Sequence, residues 1–230
     1  MRTRSYLSPR HPVPWTPRDV WIGVVCLALL QSVAVGVFLL LRLTRQGEVL
    51  LINEVLLLSL ELLLVVPVGY VAFWKYHVGW ETVGFRTCPY EAIRWGGRAL
   101  LWFYTWSVIY SLLLMLVHVR MPNYVVVVVK RFSPWFVLLA GAVLGPFLEE
   151  LFFRGFVFAG LHQRYSLRTA AIVSAALFAL IHLQWLLFVP LFVLGYLLAD
   201  LYERSDSLWP PIVMHSMINT LALGVASLKT

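Results

Sequence analysis

The chain has 230 residues, of which 61% are hydrophobic and only 13% are charged, and its formal net charge is +7. This charged fraction lies far below the roughly 25% typical of soluble domains, so the composition excludes an ordinary soluble protein and favours a multi-pass membrane protein. The basic residues lie in short segments between apolar runs rather than on one helix face or tail, which argues against nucleic acid as a partner. The partner that the composition indicates is the lipid bilayer.

Apolar runs of about 20 residues, the length that crosses a bilayer, predict seven transmembrane helices, with a range of six to eight. The boundary between the fifth and sixth helices is the weakest, because one apolar tract near residues 184–190 must hold two helices joined by a short turn. The sequence therefore predicts an all-α, multi-pass membrane helix bundle that forms one transmembrane domain over residues 1–230, with the first helix retained. The predicted spans are residues 20–42, 50–74, 99–119, 134–158, 168–186, 187–203 and 209–227.

One β-branched segment, residues 123–130 with the sequence NYVVVVVK, is too short to cross a bilayer. Runs of valine are typical of strands. We therefore interpret the segment as a strand-like or interfacial connector on the surface of the bundle.

Lysine and arginine are unevenly divided between the two sets of loops. Cytoplasmic loops carry the excess in membrane proteins. The bias predicts a cell-membrane protein with a cytoplasmic N-terminus and, for seven spans, a C-terminus on the other side. The eleven residues on the predicted cytoplasmic side are Arg2, Arg4, Arg10, Arg18, Lys75, Arg86, Arg94, Arg98, Arg164, Arg168 and Arg204. The six on the opposite side are Arg42, Arg45, Arg120, Lys130, Arg131 and Lys229.

The stretch GPFLEELFFRG places three ionisable groups inside an apolar run, where such groups are costly and by default mark a functional site. Glu150 and Arg154 are four residues apart, so they lie on nearly the same helix face with the acid before the base, the favoured order for an ion pair. Glu149 points about 100° away from Glu150. We expect Arg154 to neutralise Glu150 and to leave Glu149 facing a cavity. A purely structural network of the three charges is the alternative.

Two further apolar runs carry polar residues at helical spacing. Phe178 and His182 in FALIH are four residues apart, and so are His215 and Asn219 in HSMIN, so each pair shares a helix face. A lone histidine in a helix is more often a packed core residue than a catalyst. Two histidines and an asparagine on apolar helices, in addition to the two glutamates and the arginine, indicate a functional site.

Other polar and small residues in the apolar runs are expected to pack helices together. Glu54 and Glu61 are seven residues apart and share a face of the second span, where packing against a polar partner is favoured over an access path. Gly195 in VLGYLLAD has the small-residue character of a close helix contact. None of these three residues is predicted to be catalytic.

The motifs EELFFR, FALIH and HSMIN fit the patterns EExxxR, FxxxH and HxxxN. In their order and rough spacing they resemble the CPBP intramembrane proteases, a family that includes the type II CAAX prenyl proteases and bacterial Abi proteins linked to bacteriocin processing and self-immunity. The resemblance covers about residues 135–222. It implies a catalytic core of the CPBP/Abi type over residues 134–227 within the single transmembrane domain.

Peptide hydrolysis needs an activated water, a base, an acid for the leaving amine and donors for the oxyanion. Glu149 is the expected base and Glu150 an orienting residue, while His182 can hold the water or move its proton. His215 and Asn219 suit the oxyanion, and the resemblance implies the same division of roles. The predicted catalytic residues are Glu149, Glu150, Arg154, His182, His215 and Asn219, supported by Phe178.

A zinc cofactor is left open by the sequence. The resembled family is often called a metalloprotease family, and Glu149, His182 and His215 could supply a set of one carboxylate and two histidines. The chain lacks the HExxH motif of zincins. A metal-free glutamate mechanism fits the same residues and is slightly preferred.

The expected function is an intramembrane endopeptidase, similar to type II CAAX prenyl proteases, that acts on a peptide or lipidated protein near the cytoplasmic face. Two alternatives are kept. A proton-coupled carrier would also need buried acids and histidines, but the chain has no repeated half. A non-catalytic scaffold or immunity protein would be indicated by loss of a motif residue, and none is missing. A prenylated CaaX tail, a bacteriocin leader and a membrane regulatory peptide all remain candidate substrates.

Overall fold

The computed structural model describes residues 11–44, 49–119 and 124–228, and every regular element in these ranges is a helix. This agrees with the all-α bundle that the apolar runs predict. The helices are α1 (Pro17–Thr44), α2 (Val49–Leu63, continued by Val65–Val68 and the π-helical Gly69–Lys75), α3 (Trp80–Val83), α4 (Ala92–Leu116), α5 (Tyr124–Arg131), α6 (Pro134–Leu161), α7 (Leu167–Ile181), α8 (Phe188–Ser205, preceded by the 3-10 turn Trp185–Leu187) and α9 (Trp209–Ser227).

In the described part of the chain, five segments are long and apolar enough to cross a membrane. They are Pro17–Leu43, Asn53–Lys75, Ala92–Leu116, Pro134–Leu161 and Trp185–Ser205. Helix α7 is apolar but has only 15 residues. Helix α9 has 19 residues and is not one of these five segments. Each of the seven predicted spans coincides with a helix, but length and composition support five of them, so the count of seven is not confirmed.

The β-branched segment near residue 125 is helical, so its interpretation as strand-like is wrong. Its described part forms α5, which packs against α9. A strand needs a neighbouring strand to satisfy its backbone groups, and none exists among the described residues. A helix satisfies those groups within the segment itself, which outweighs the strand preference of valine. Residue 123 lies outside the described residues.

Helix α6 alternates between α-helical and π-helical geometry around the two glutamates. The α-helical piece Gly145–Glu150 lies between the π-helical pieces Val137–Leu144 and Leu151–Phe158. The Gly145 N–H bonds to the carbonyl of Ala140, five residues earlier, and Pro146 has no N–H to continue this pattern. The carbonyl of Gly141 is therefore released from the backbone ladder. Such π-helical turns occur frequently at functional sites.

The loop after α3 fixes the position at which α9 begins. The N–H of Leu208 donates to the carbonyl of Gly84 at 2.8 Å. Arg86 donates to Asp206 twice, from Nε to the carbonyl at 2.8 Å and from Nη2 to the carboxylate at 2.9 Å. Gly84 has a φ of 118°, a backbone conformation that side chains other than glycine rarely adopt. These contacts set the register of α9, which carries His215.

Helices α7 and α8 pack closely at Gly195, as the sequence predicts for this residue. A Cβ atom added at Gly195 would lie 2.9 Å from the backbone Cα of Ala175. Backbone atoms cannot move aside as a flexible side chain can. The glycine therefore allows α8 to approach α7, the helix that ends just before His182.

Replacing Gly195 by alanine is expected to destabilise the fold. The added methyl group overpacks the contact with Ala175, a change that typically costs about 1–3 kcal/mol. Gly224→Ala is the matched control, because nothing lies within 4 Å of the added atom, and Ala is favoured over Gly in a helix by up to about 1 kcal/mol. Thermal unfolding of both variants in detergent micelles tests this. Equal or higher stability of Gly195→Ala would contradict the close contact.

Candidate active site

Arg154 and Glu150 form the predicted ion pair, and both side chains are completely buried. Arg154 Nη1 lies 2.9 Å from Glu150 Oε1. Nη2 donates to the carbonyl of Gly195 at 3.0 Å, and the guanidinium carbon lies 4.7 Å from the ring centroid of Phe178. A buried ion pair is tolerated when further hydrogen bonds and a cation–π contact accompany it. Arg154 thus connects α6 to both α7 and α8.

His215 reaches the same carboxylate from α9. Its Nδ1 lies 2.8 Å from Glu150 Oε1. An ionised carboxylate can only accept, so Nδ1 is the donor. The opposite ring nitrogen, Nε2, lies 4.0 Å from Glu149 Oε2. The sequence paired Glu150 with Arg154 alone, so the position of His215 between the two glutamates is a finding of the structure.

Glu149 is the more accessible carboxylate of the two adjacent glutamates. Its side chain is 12% exposed, whereas the side chain of Glu150 is 0% exposed. Glu149 Oε2 has no hydrogen-bond partner among the described residues. The structure therefore places the two carboxylates as the helix spacing predicts, with Glu150 paired and Glu149 available.

The ring of Phe178 lies close to the rings of both histidines. Its centroid lies 4.9 Å from that of His182 and 5.6 Å from that of His215. His182 follows the last residue of α7, and its Nδ1 donates to the Phe178 carbonyl at 2.7 Å. This bond fixes the ring and leaves Nε2 as the nitrogen that can act in a reaction.

Asn219 bonds to the backbone of α6. Its Nδ2 donates at 2.7 Å to the carbonyl of Gly141, the carbonyl that Pro146 releases from the helix. The sequence predicts Asn219 as a donor to an oxyanion together with His215. One of its two amide N–H groups is engaged by Gly141, so a single N–H remains for that role.

The predicted metal ligands do not fit a zinc ion. Across residues 11–44, 49–119 and 124–228, no three His, Cys, Asp or Glu side chains are grouped closely enough to hold a metal. Glu149, His182 and His215 are therefore not arranged as a ligand set. No step below is assigned to a metal.

Glu61 joins the site from α2, which the sequence did not predict. Its Cδ and Oε1 lie 3.7 Å from the Cβ position on Gly145, one turn before Glu149, and its Oε2 is buried without a partner among the described residues. Glu54 lies elsewhere, where its Oε1 accepts from the N–H of Ser133 at 2.8 Å, just before α6 begins. The expected packing role therefore fits Glu54. The sequence feature that could have identified Glu61 as a site residue is its carboxylate in the middle of an apolar run.

Comparisons with known proteins agree with the site. The family model described as Type II CAAX prenyl endopeptidase Rce1-like matches residues 131–221. The "Putative membrane peptidase YdiL" of Bacillus subtilis (strain 168) is 29% identical over 86 residues, which are 37% of this chain and 35% of that protein. The "Uncharacterized protein YpbD" of the same organism is 33% identical over 92 residues, 40% of this chain and 46% of that protein.

These matches confirm the family resemblance carried by the three motifs. The aligned region spans less than half of the length of either curated relative. No solved structure matches the chain.

Arg154→Ala is expected to destabilise the protein strongly. It leaves the carboxylate of Glu150 buried with only His215 as a donor, and breaking a buried ion pair in this way typically costs about 3–5 kcal/mol. Arg204→Ala is the matched control, because Arg204 forms the same i,i+4 pair with Asp200 on an exposed helix face, where such pairs contribute about 1 kcal/mol or less. Unfolding of the two variants in detergent gives the comparison. Equal losses would contradict the central role of the buried pair.

Proposed function

We propose that this chain, whose residues 131–221 belong to the CPBP family, is an intramembrane endopeptidase that hydrolyses peptide bonds with water activated by Glu149. One observation carries the proposal. Glu150 is fully buried and held by Arg154 and His215, whereas Glu149 is partly exposed and has an unpartnered oxygen. This is the arrangement that a general base with a supporting carboxylate requires.

Glu149 and His182 act on the water in this proposal. Glu149 accepts a proton as the water oxygen attacks the carbonyl carbon, and it returns the proton to the leaving amine nitrogen. His182 can move this proton through its free Nε2, because Nδ1 is held by the Phe178 carbonyl. Phe178 supports both histidines by packing against each of their rings.

His215 and Asn219 stabilise the oxyanion. With Nδ1 bonded to Glu150, His215 can donate from Nε2 only when both ring nitrogens carry a proton. Asn219 contributes the amide N–H that Gly141 does not use. Donors fixed before the reaction need no reorganisation as the oxyanion develops, which makes them effective.

The substrate is a membrane-associated peptide or a lipidated protein. The site residues lie on helices that are apolar enough to cross a membrane or pack against those that do, so a substrate must partition into or onto the bilayer to reach them. We assign the catalytic core to residues 134–227 and the N-terminus to the cytoplasmic side. The orientation rests on the excess of basic residues in the predicted cytoplasmic loops, of which Arg2, Arg4 and Arg10 lie outside the described residues.

Glu149→Gln and His182→Ala are each expected to abolish cleavage while the protein stays folded. The first removes the base and the second a group that moves its proton, and general acid–base catalysis contributes about 10²–10⁴-fold. Cleavage of a farnesylated, internally quenched CaaX peptide and of its unlipidated twin by purified protein measures the effect. In parallel, a comparison of the membrane peptides in cells that carry the wild-type protein with those in cells that carry Glu149→Gln reveals substrates other than CaaX tails.

Arg204→Ala serves as the control for these assays, because Arg204 is exposed and lies outside the three motifs. It should cleave at the wild-type rate. Full activity of purified Glu149→Gln, with unchanged membrane peptides in cells, would refute the proposed function.

Removal of divalent metals is expected to leave the activity unchanged. The residues do not form a metal-binding group, and the proposed steps use only side chains and water. Activity after treatment with EDTA and with 1,10-phenanthroline, together with elemental analysis of the treated protein, measures this. Loss of activity that zinc restores would contradict the metal-free mechanism.

A further inference from the structure

Two carboxylates from different helices converge beside the site without a donor between them. Oε2 of Glu61, on α2, and Oε2 of Glu149, on α6, are both buried and have no hydrogen-bond partner among the described residues. The neighbouring Glu150, fully buried, also keeps its Oε2 unpartnered. Buried acceptors without donors are strongly unfavourable. Their convergence indicates a molecule that donates hydrogen bonds at this place.

Helix geometry places Glu61 next to Glu149. Gly145 and Glu149 are four residues apart within the α-helical piece Gly145–Glu150, so they share one face of α6. The carboxyl group of Glu61 lies 3.7 Å from the Cβ position on that glycine. The two carboxyl groups therefore border the same space between α2 and α6.

A water molecule fits the hydrogen-bonding requirement of this space. It has two O–H donors, one for each carboxylate, and buried waters typically make about two to four hydrogen bonds. The carboxylates of Glu61 and Glu149 would thus engage both water protons and leave the oxygen lone pairs for attack.

We propose that Glu61 is a further catalytic residue, which binds the attacking water together with Glu149. As the water oxygen bonds to the carbonyl carbon, one water proton moves to Glu149, and the other O–H stays hydrogen-bonded to Glu61. When the C–N bond breaks, the proton on Glu149 passes to the amine nitrogen. The chemical part of this inference rests on the proposed peptidase function, whereas the placement of Glu61 opposite Glu149 does not.

Substitutions of Glu61 that keep or remove the acceptor test its role in the reaction. Glu61→Leu retains the approximate volume and loses the acceptor, so kcat for the farnesylated quenched peptide should fall about 10²-fold while KM changes less than about threefold. Glu61→Gln keeps one amide oxygen and should lose about tenfold or less. Glu54→Gln is the control on the same helix face and should keep the wild-type kcat. A residue that only packs helices would tolerate leucine at least as well as glutamine.

A double-mutant cycle on stability tests the placement independently of activity. Glu61→Gln and Glu149→Gln each replace one of two carboxyl groups that border the same space, so their effects on the apparent Tm should not be independent. The Tm change of the double variant should differ from the sum of the two single changes by more than about 2 °C. The cycle of Glu54→Gln with Glu149→Gln should be additive.

The two measurements separate failure of this inference from failure of the proposed function. If Glu61→Leu cleaves like wild type while Glu149→Gln is inactive, the peptidase function stands and Glu61 is not catalytic. If wild type and Glu149→Gln are equally inactive on every substrate, the peptidase function fails, and the cycle alone decides the placement. Additivity of Glu61→Gln and Glu149→Gln would then overturn the inference as well.

Discussion

One carboxylate oxygen, Oε1 of Glu150, organises the site because it accepts hydrogen bonds from two donors on different helices. Arg154 Nη1 and His215 Nδ1 both reach it within 2.9 Å. Arg154 also donates to Gly195 on α8, so the two donors draw α8 and α9 toward α6. The bond to Nδ1 fixes the orientation of the imidazole ring, and with it the direction of Nε2 toward Glu149. The orientation of His215 beside Glu149 therefore depends on a carboxylate that need not contact a substrate.

The backbone of α6 supplies a second constraint on the same region. Pro146 cannot donate to a preceding carbonyl, and the π-helical stretch before it leaves Gly141 without a helical donor. Asn219 on α9 satisfies that carbonyl. Helix α9 is therefore held to α6 at two levels, by His215 and by Asn219, which are four residues apart. Within an apolar bundle, where no solvent can replace a lost partner, two such bonds fix both the rotation and the register of α9.

The sequence predicted the parts of the site that depend on helix spacing alone. The pairing of Glu150 with Arg154 follows from four residues of separation, and the close contact at Gly195 follows from its size. The bond from His215 to Glu150 could not be predicted, because it joins residues 65 positions apart through the packing of α9. Glu54 and Glu61 share one helix face, so the sequence could not show that they have different neighbours. Glu54 contacts Ser133, and Glu61 lies beside Gly145. Spacing identifies a shared face but not the element that the face meets.

The balance of donors and acceptors distinguishes the candidate functions of the buried charges. A structural network would pair its acceptors, as Oε1 of Glu150 is paired, and it would not collect the unpartnered oxygens of Glu61 and Glu149 at one place. A proton carrier would need titratable groups in series across the bundle, whereas these groups surround one point between α2, α6 and α9. Acceptors in excess around a single point suit the binding of a small molecule with two O–H donors. Water is the reactant that hydrolysis consumes, and its lone pair would remain free because both carboxylates engage only its protons.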